Sequence, residues 1–135
     1  MVEMNAEYKG QLSCTLTHGP SGCELITDAP KDNHGLGRSF SPTDLLASAL
    51  ASCTLTVMAI YAERHGISLI GAKAHITKEM AADPVRRVSK LNVKISLPKS
   101  VPEEQRAAIE RAGHTCPVSQ SLHPNTQQLI TVEYV

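Results

Sequence analysis

The sequence predicts an α+β fold, and three observations carry that prediction. Strand-like segments come in runs rather than strictly alternating with helices, one long apolar helix sits between two such runs, and a second helix precedes the last strand. At 135 residues the chain is predicted to be a single domain spanning residues 1–135, long enough to bury about 65–70% of its extended surface without metal or disulfide staples. With one Phe, three Tyr and no Trp, the core must be aliphatic, and such a core often completes its burial by dimerising.

The elements follow in order. Ala6 to Leu12, Ser13 to Thr17 and Cys23 to Thr27 alternate like strands, and His18-Gly19-Pro20-Ser21-Gly22 supplies a turn, so an N-terminal antiparallel hairpin or small meander is expected. Asp28 to Phe40, with Pro30, Asn33, Gly35 and Gly37, reads as a loop. Ser41-Pro42-Thr43-Asp44 then opens a helix: a capping Ser, a Pro at the first helical position, and an acid three residues after the Ser. Leu46, Leu50, Cys53, Val57, Ile60 and Arg64 recur at helical steps, with small residues (Ala47, Ser48, Ala49, Ala51, Ser52) on the other side. This is expected to be a central, buried helix, stopped by Gly66.

Ile67 to Glu79 reads as a strand, Ala81 to Pro84 as a turn, and Val88 to Leu97 as a strand with Leu91, Val93, Ile95 and Leu97 on its buried face. A second helix runs from Pro102 to near Gly113, its Glu103 and Glu104 in the first turn where the helix dipole favours them. Cys116 to Leu122 offers one or two helical turns, with Cys116 as the cap and Pro117 behind it. Leu129 to Tyr134 closes the chain as a strand.

Charge and composition exclude several functions. Thirteen basic and thirteen acidic residues cancel, so nucleic acid and anionic membrane are poor partners and a neutral or apolar substrate fits better. Leu45 to Ala62 is apolar but carries Ser48, Ser52, Thr54 and Thr56, and reads as a globular helix rather than a membrane span. Met1 to Gly10 lacks an apolar signal core, which predicts a cytoplasmic protein, where structural disulfides are rare and paired cysteines are more often catalytic or metal-binding. No C-x-x-C or H-x₃₋₅-H pair, phosphate loop or G-x-S-x-G elbow is present, which sets metal, nucleotide and serine-hydrolase chemistry behind thiol chemistry.

Of the four cysteines, Cys116 has the better physical case as a thiolate, since a cap position at a helix start surrounds the sulfur with free N–H groups. His114, two residues away, would donate to that sulfur or cap the preceding helix; the former suggests a Cys116–His114 hydrolase as a remote alternative. Cys53 lies mid-helix, the position of a small core residue, and would need a nearby cation to react. Cys14 and Cys23 flank the turn at His18-Gly19 and are expected to face each other across the hairpin as structural residues.

The run from Ser41-Pro42-Thr43-Asp44-Leu45-Leu46 through Ala51-Ser52-Cys53-Thr54-Leu55-Thr56-Val57-Met58, with Cys116-Pro117-Val118-Ser119-Gln120-Ser121-Leu122 downstream, resembles the OsmC/Ohr family of osmotically inducible proteins and organic hydroperoxide reductases. The resemblance implies an OsmC-like fold, with antiparallel sheets around a long central helix and two chains intertwined as a homodimer. It implies a thiol peroxidase in which Cys53 attacks an organic hydroperoxide and becomes a sulfenic acid, and Cys116 resolves it to a disulfide. No bound cofactor is implied; an external dithiol, such as a lipoylated protein, would reduce that disulfide. The family's activating arginine matches Arg38 best, with Arg86 and Arg87 as rivals. Thr43 stands where the best-characterised members carry the Glu that holds this arginine, and the acid comes one residue later. Asp44 lies nine residues before Cys53, about 13 Å along a helix, and suffices as a capping acid. The alternative is a non-enzymatic OsmC-like dimer that binds an apolar ligand.

Overall fold

The computed structural model describes residues 1–135, and its contacts divide the chain into two units, Met1–Leu46 and Ala47–Val135. The first unit holds an antiparallel sheet of order β1-β2-β3, formed by β1 (Met4–Gly10), β2 (Ser13–His18) and β3 (Glu24–Asp28). The first strand ends at Gly10 rather than Leu12, because Gly10, Gln11 and Leu12 all take positive φ and turn the chain back. Cys14 pairs with Thr27, not with Cys23. The turn is centred further along than expected: His18 N donates to the Cys23 carbonyl at 2.9 Å, so the four residues Gly19 to Gly22 form the loop and the hairpin's centre moves two residues along the chain.

Helix α1 (Pro42–Arg64) begins as the sequence indicates. Asp44 N donates to Ser41 Oγ at 3.1 Å and Ser41 N donates to Asp44 Oδ2 at 2.9 Å, a reciprocal capping box. Its end is a Schellman turn: Gly66, at φ +70°, lets Ile67 N reach the Ala62 carbonyl at 2.8 Å while Gly66 N reaches Glu63. The buried face is not the expected stripe. Ala47, Leu50, Ala51, Thr54, Met58 and Ala62 point inward, six of 23 residues, while Leu46 and Ile60 are exposed and Cys53 is half-buried. The small row packs because it allows close approach. A Cβ on Gly113 would run into Met58 and Thr54, so the helix carrying Gly113 lies directly on α1. By length and composition α1 is able to cross a membrane, but Leu50, Met58 and Ala62 make it a core helix here.

The second unit contains a sheet of order β4-β5-β6: β4 (Lys73–Ala81), β5 (Arg87–Leu97) and β6 (Gln127–Tyr134). The strand expected from Ile67 starts only at Lys73; residues 67–72 form a turn with Gly71 at φ +92° and a bond from Ala72 N to the Leu69 carbonyl. β4 and β5 are antiparallel, but β5 and β6 run parallel, which corrects the expectation of wholly antiparallel sheets. The reason is connectivity: α2 (Glu103–Gly113) and α3 (Pro117–Ser121) form a helical crossover, which returns the chain in the same direction. On β5, Leu91, Val93, Ile95 and Leu97 are buried as the alternation predicts, and they share one core with Leu50, Met58, Val101 and Ile109. Each such side chain contributes roughly 1.5–3 kcal/mol by leaving water.

Candidate thiol site

Two elements of the second unit bring sulfur to one place. Cys53 stands halfway along α1, and Cys116 caps α3 with extended backbone (φ −60°, ψ 138°) ahead of Pro117. Cys116 is fully buried, and all four cysteines are free thiols. The cap is real: Ser119 N donates to Cys116 Sγ at 3.3 Å. On the other side, Thr54 Oγ1 lies 3.8 Å from the same sulfur and donates to the Leu50 carbonyl at 2.8 Å.

Cys53 is half-buried. Burial pushes its thiol above the ordinary value, the Val118 N–H pulls it down by donating to the sulfur, and the neighbouring Cys116 sulfur pushes it up again. Cys116 thus acts on the Cys53 thiol, its sulfur lying 3.8 Å from Thr54 Oγ1 one residue along α1, and Val118 gives Cys53 one amide donor. None of Arg38, Arg86 and Arg87 is among the groups that act on it. Arg87 instead donates to the carbonyls of Asp83 and Val85 at 2.6 and 3.3 Å, and Arg86 is exposed. His114 is the C-terminal cap of α2; its ring makes no bond to Cys116.

Arg38, in the first unit, is fastened to an acid that the sequence did not single out. Its Nε and Nη2 donate to Asp28 Oδ2 and Oδ1 at 2.7 and 3.0 Å, and its backbone N donates to Oδ2 at 2.9 Å. Asp28 is 1% exposed, and the Arg38 guanidinium beside it lowers its carboxyl to about pKa 2. Asp28 ends a strand in an unremarkable Thr27-Asp28-Ala29 context, so no local signal marks it. Thr54, Ser119 and the Val118 amide were also missed, because each acts through one contact across elements distant in sequence.

Residues 34–130 match the family model described as OsmC-like protein. The chain belongs to the OsmC family. A candidate osmotic stress induced and detoxification response protein from Psychrobacter arcticus 273-4 is similar at 41% identity, covering 98% of this chain and 96% of that one with a TM-score of 0.93. Two more distant solved structures share the OsmC fold. An organic hydroperoxide resistance protein OsmC from Legionella pneumophila has 20% identity over 100% of this chain and 97% of its own, with a TM-score of 0.74. The organic hydroperoxide resistance protein OhrB of Bacillus subtilis has 15% identity over 98% of each chain, with a TM-score of 0.71. No curated protein sequence gives a significant match.

Proposed function

We propose that this OsmC family member is a cytoplasmic, homodimeric thiol peroxidase that reduces organic hydroperoxides. The observation that carries the proposal is that the Cys116 sulfur lies 3.8 Å from Thr54 Oγ1, one residue along α1 from Cys53, and acts on the Cys53 thiol. OsmC-fold proteins named for organic hydroperoxide resistance support it. Ionised Cys53 attacks the terminal peroxide oxygen, the O–O bond breaks, and the alcohol leaves with a proton. The resulting Cys53 sulfenic acid condenses with Cys116, forming the disulfide and releasing water. An external dithiol, for which a lipoylated protein has suitable chemistry, restores both thiols by exchange.

Burial opposes ionisation of Cys53, so the first step needs a cation as well as the Val118 N–H. Arg38 is the proposed source, with Asp28 in the place of the helix-borne Glu as the acid that holds its fork. The decisive measurement is hydroperoxide consumption with a dithiol reductant. Cys53→Ser is expected to lose essentially all turnover of cumene hydroperoxide; turnover at the wild-type rate overturns the proposal.

One observation favours the second reading, a non-enzymatic dimer that binds an apolar ligand. A cleft of about 570 Å³ lies in the second unit between α1 and the turn after it, lined by Leu55, Ala59, Ile67, Leu69, Ile70 and Ala72 among others. Under that reading mild peroxide leaves Cys53 and Cys116 unlinked, and mass spectrometry of the treated protein decides between the two.

A further inference from the structure

Helix α3 carries one sulfur of the pair yet has only five residues, and helices that short have no stability of their own in water. A two-way bond fastens it to β6. Ser119 Oγ donates to Gln128 Oε1 at 2.6 Å, and Gln128 Nε2 donates back to the Ser119 carbonyl at 3.1 Å. Gln128 is itself well anchored, in register with Leu91, which is fully buried on β5. The gripped residue is the one that matters for the sulfurs. Ser119 N donates to Cys116 Sγ at 3.3 Å, and the backbone of its neighbour Val118 acts on the Cys53 thiol.

We infer that Gln128 is a positioning residue for disulfide formation: its clasp on Ser119 keeps α3 where Cys116 stays within reach of oxidised Cys53. The inference rests on the peroxidase reading above. In the step concerned, the Cys116 sulfur attacks the sulfur of the Cys53 sulfenic acid. An S–S bond forms, the S–O bond breaks, and the hydroxyl leaves as water with the proton of the Cys116 thiol. The oxidant is the hydroperoxide already consumed in making the sulfenic acid. A second hydroperoxide competes by oxidising the same sulfenic acid to sulfinic acid, releasing another alcohol. Condensation depends on geometry, because both groups are in one chain. The competing oxidation depends on peroxide concentration. Loosening α3 slows the first and leaves the second alone.

The test treats the reduced full chain with increasing equivalents of cumene hydroperoxide and reads Cys53 as disulfide or sulfinate by mass spectrometry. Losing both clasp bonds in Gln128→Ala is expected to lower the peroxide needed for half-conversion to sulfinate by about tenfold. Gln128→Glu keeps an acceptor for Ser119 Oγ, and Ser119→Ala keeps the bond to the Ser119 carbonyl. Each removes one bond and is expected to fall between Gln128→Ala and wild type. The double variant Gln128→Ala with Ser119→Ala is expected to be no worse than Gln128→Ala alone, since both act on one clasp. A purely structural role lowers the melting temperature but leaves the disulfide-to-sulfinate ratio at its wild-type value. If Gln128→Ala fails to fold, the near-isosteric Gln128→Glu carries the comparison. A wild-type ratio in the folded variants, with wild type forming the disulfide, overturns the positioning role and leaves the peroxidase reading intact. Absence of the Cys53–Cys116 disulfide in wild type itself overturns both.

Discussion

The middle of α1 and the start of α3 each carry one thiol of the pair, and they are held in different ways. α1 is 23 residues long, capped at both ends, and seated by Leu50, Thr54 and Met58 in the shared core. Cys53 takes its place from that packing and makes few bonds of its own. α3 has five residues and no buried member, and Cys116 before it, itself fully buried in the core, is held in addition by discrete bonds: Ser119 N to its sulfur, and the Ser119–Gln128 clasp behind it. One thiol depends on the packing of its helix, the other on packing together with hydrogen bonds. Substitutions should therefore affect the two ends of the pair through different observables.

The largest effect is expected on the α1 side. Leu50 is fully buried, and Leu50→Ala should cost about 2–5 kcal/mol of stability through lost burial and a residual cavity. Urea denaturation measures it. A loss well below that range shows that α1 is seated less by packing than its buried face indicates, and the contrast with α3 weakens accordingly.

The same contrast explains what was legible in the sequence. The capping box at Ser41 and Asp44, the Gly66 stop and the Cys116-Pro117 cap are local, set by residues within a few positions of one another, and all are found where the sequence places them. The buried face of α1 was not legible. Both its sides are apolar or small, so periodicity fits two faces, and the close approach of Gly113 selects the smaller one. The register of Cys14 turned on the number of residues in one loop, and the direction of β6 on the crossover before it. For the site, Cys53 and Cys116 carry a recognisable pattern. Their supports at Thr54, Val118, Ser119 and Gln128 are single contacts between distant segments, which leave no periodic trace.

Thr54 joins the two regions and sharpens the comparison at smaller cost. It is fully buried on α1, and its hydroxyl lies between the Leu50 carbonyl and the Cys116 sulfur. Thr54→Val preserves the shape and removes the hydroxyl, so stability should fall by only about 0.5–1.5 kcal/mol. Cys116 should nevertheless react faster with iodoacetamide in the folded, reduced protein. If alkylation is unchanged, Ser119 and the clasp alone hold that sulfur, and α1 contributes packing only.

The smallest effect is a matter of pH and separates the thiols by charge. Burial raises the Cys53 thiol above its ordinary value of 9.0, so on raising the pH the unfolded chain loses this proton before the folded one does. The unfolded state is then favoured: the contribution of protonated Cys53 is complete below pH 9 and is lost as pH rises through and beyond that value. Thermal melts of wild type and Cys53→Ala across this range should converge at high pH on that account, the variant showing the flatter profile. Parallel profiles mean that Cys53 is not desolvated in solution as it is in the structure. Its first step would then need less help from a cation, and the proposed part of Arg38 would lose its reason.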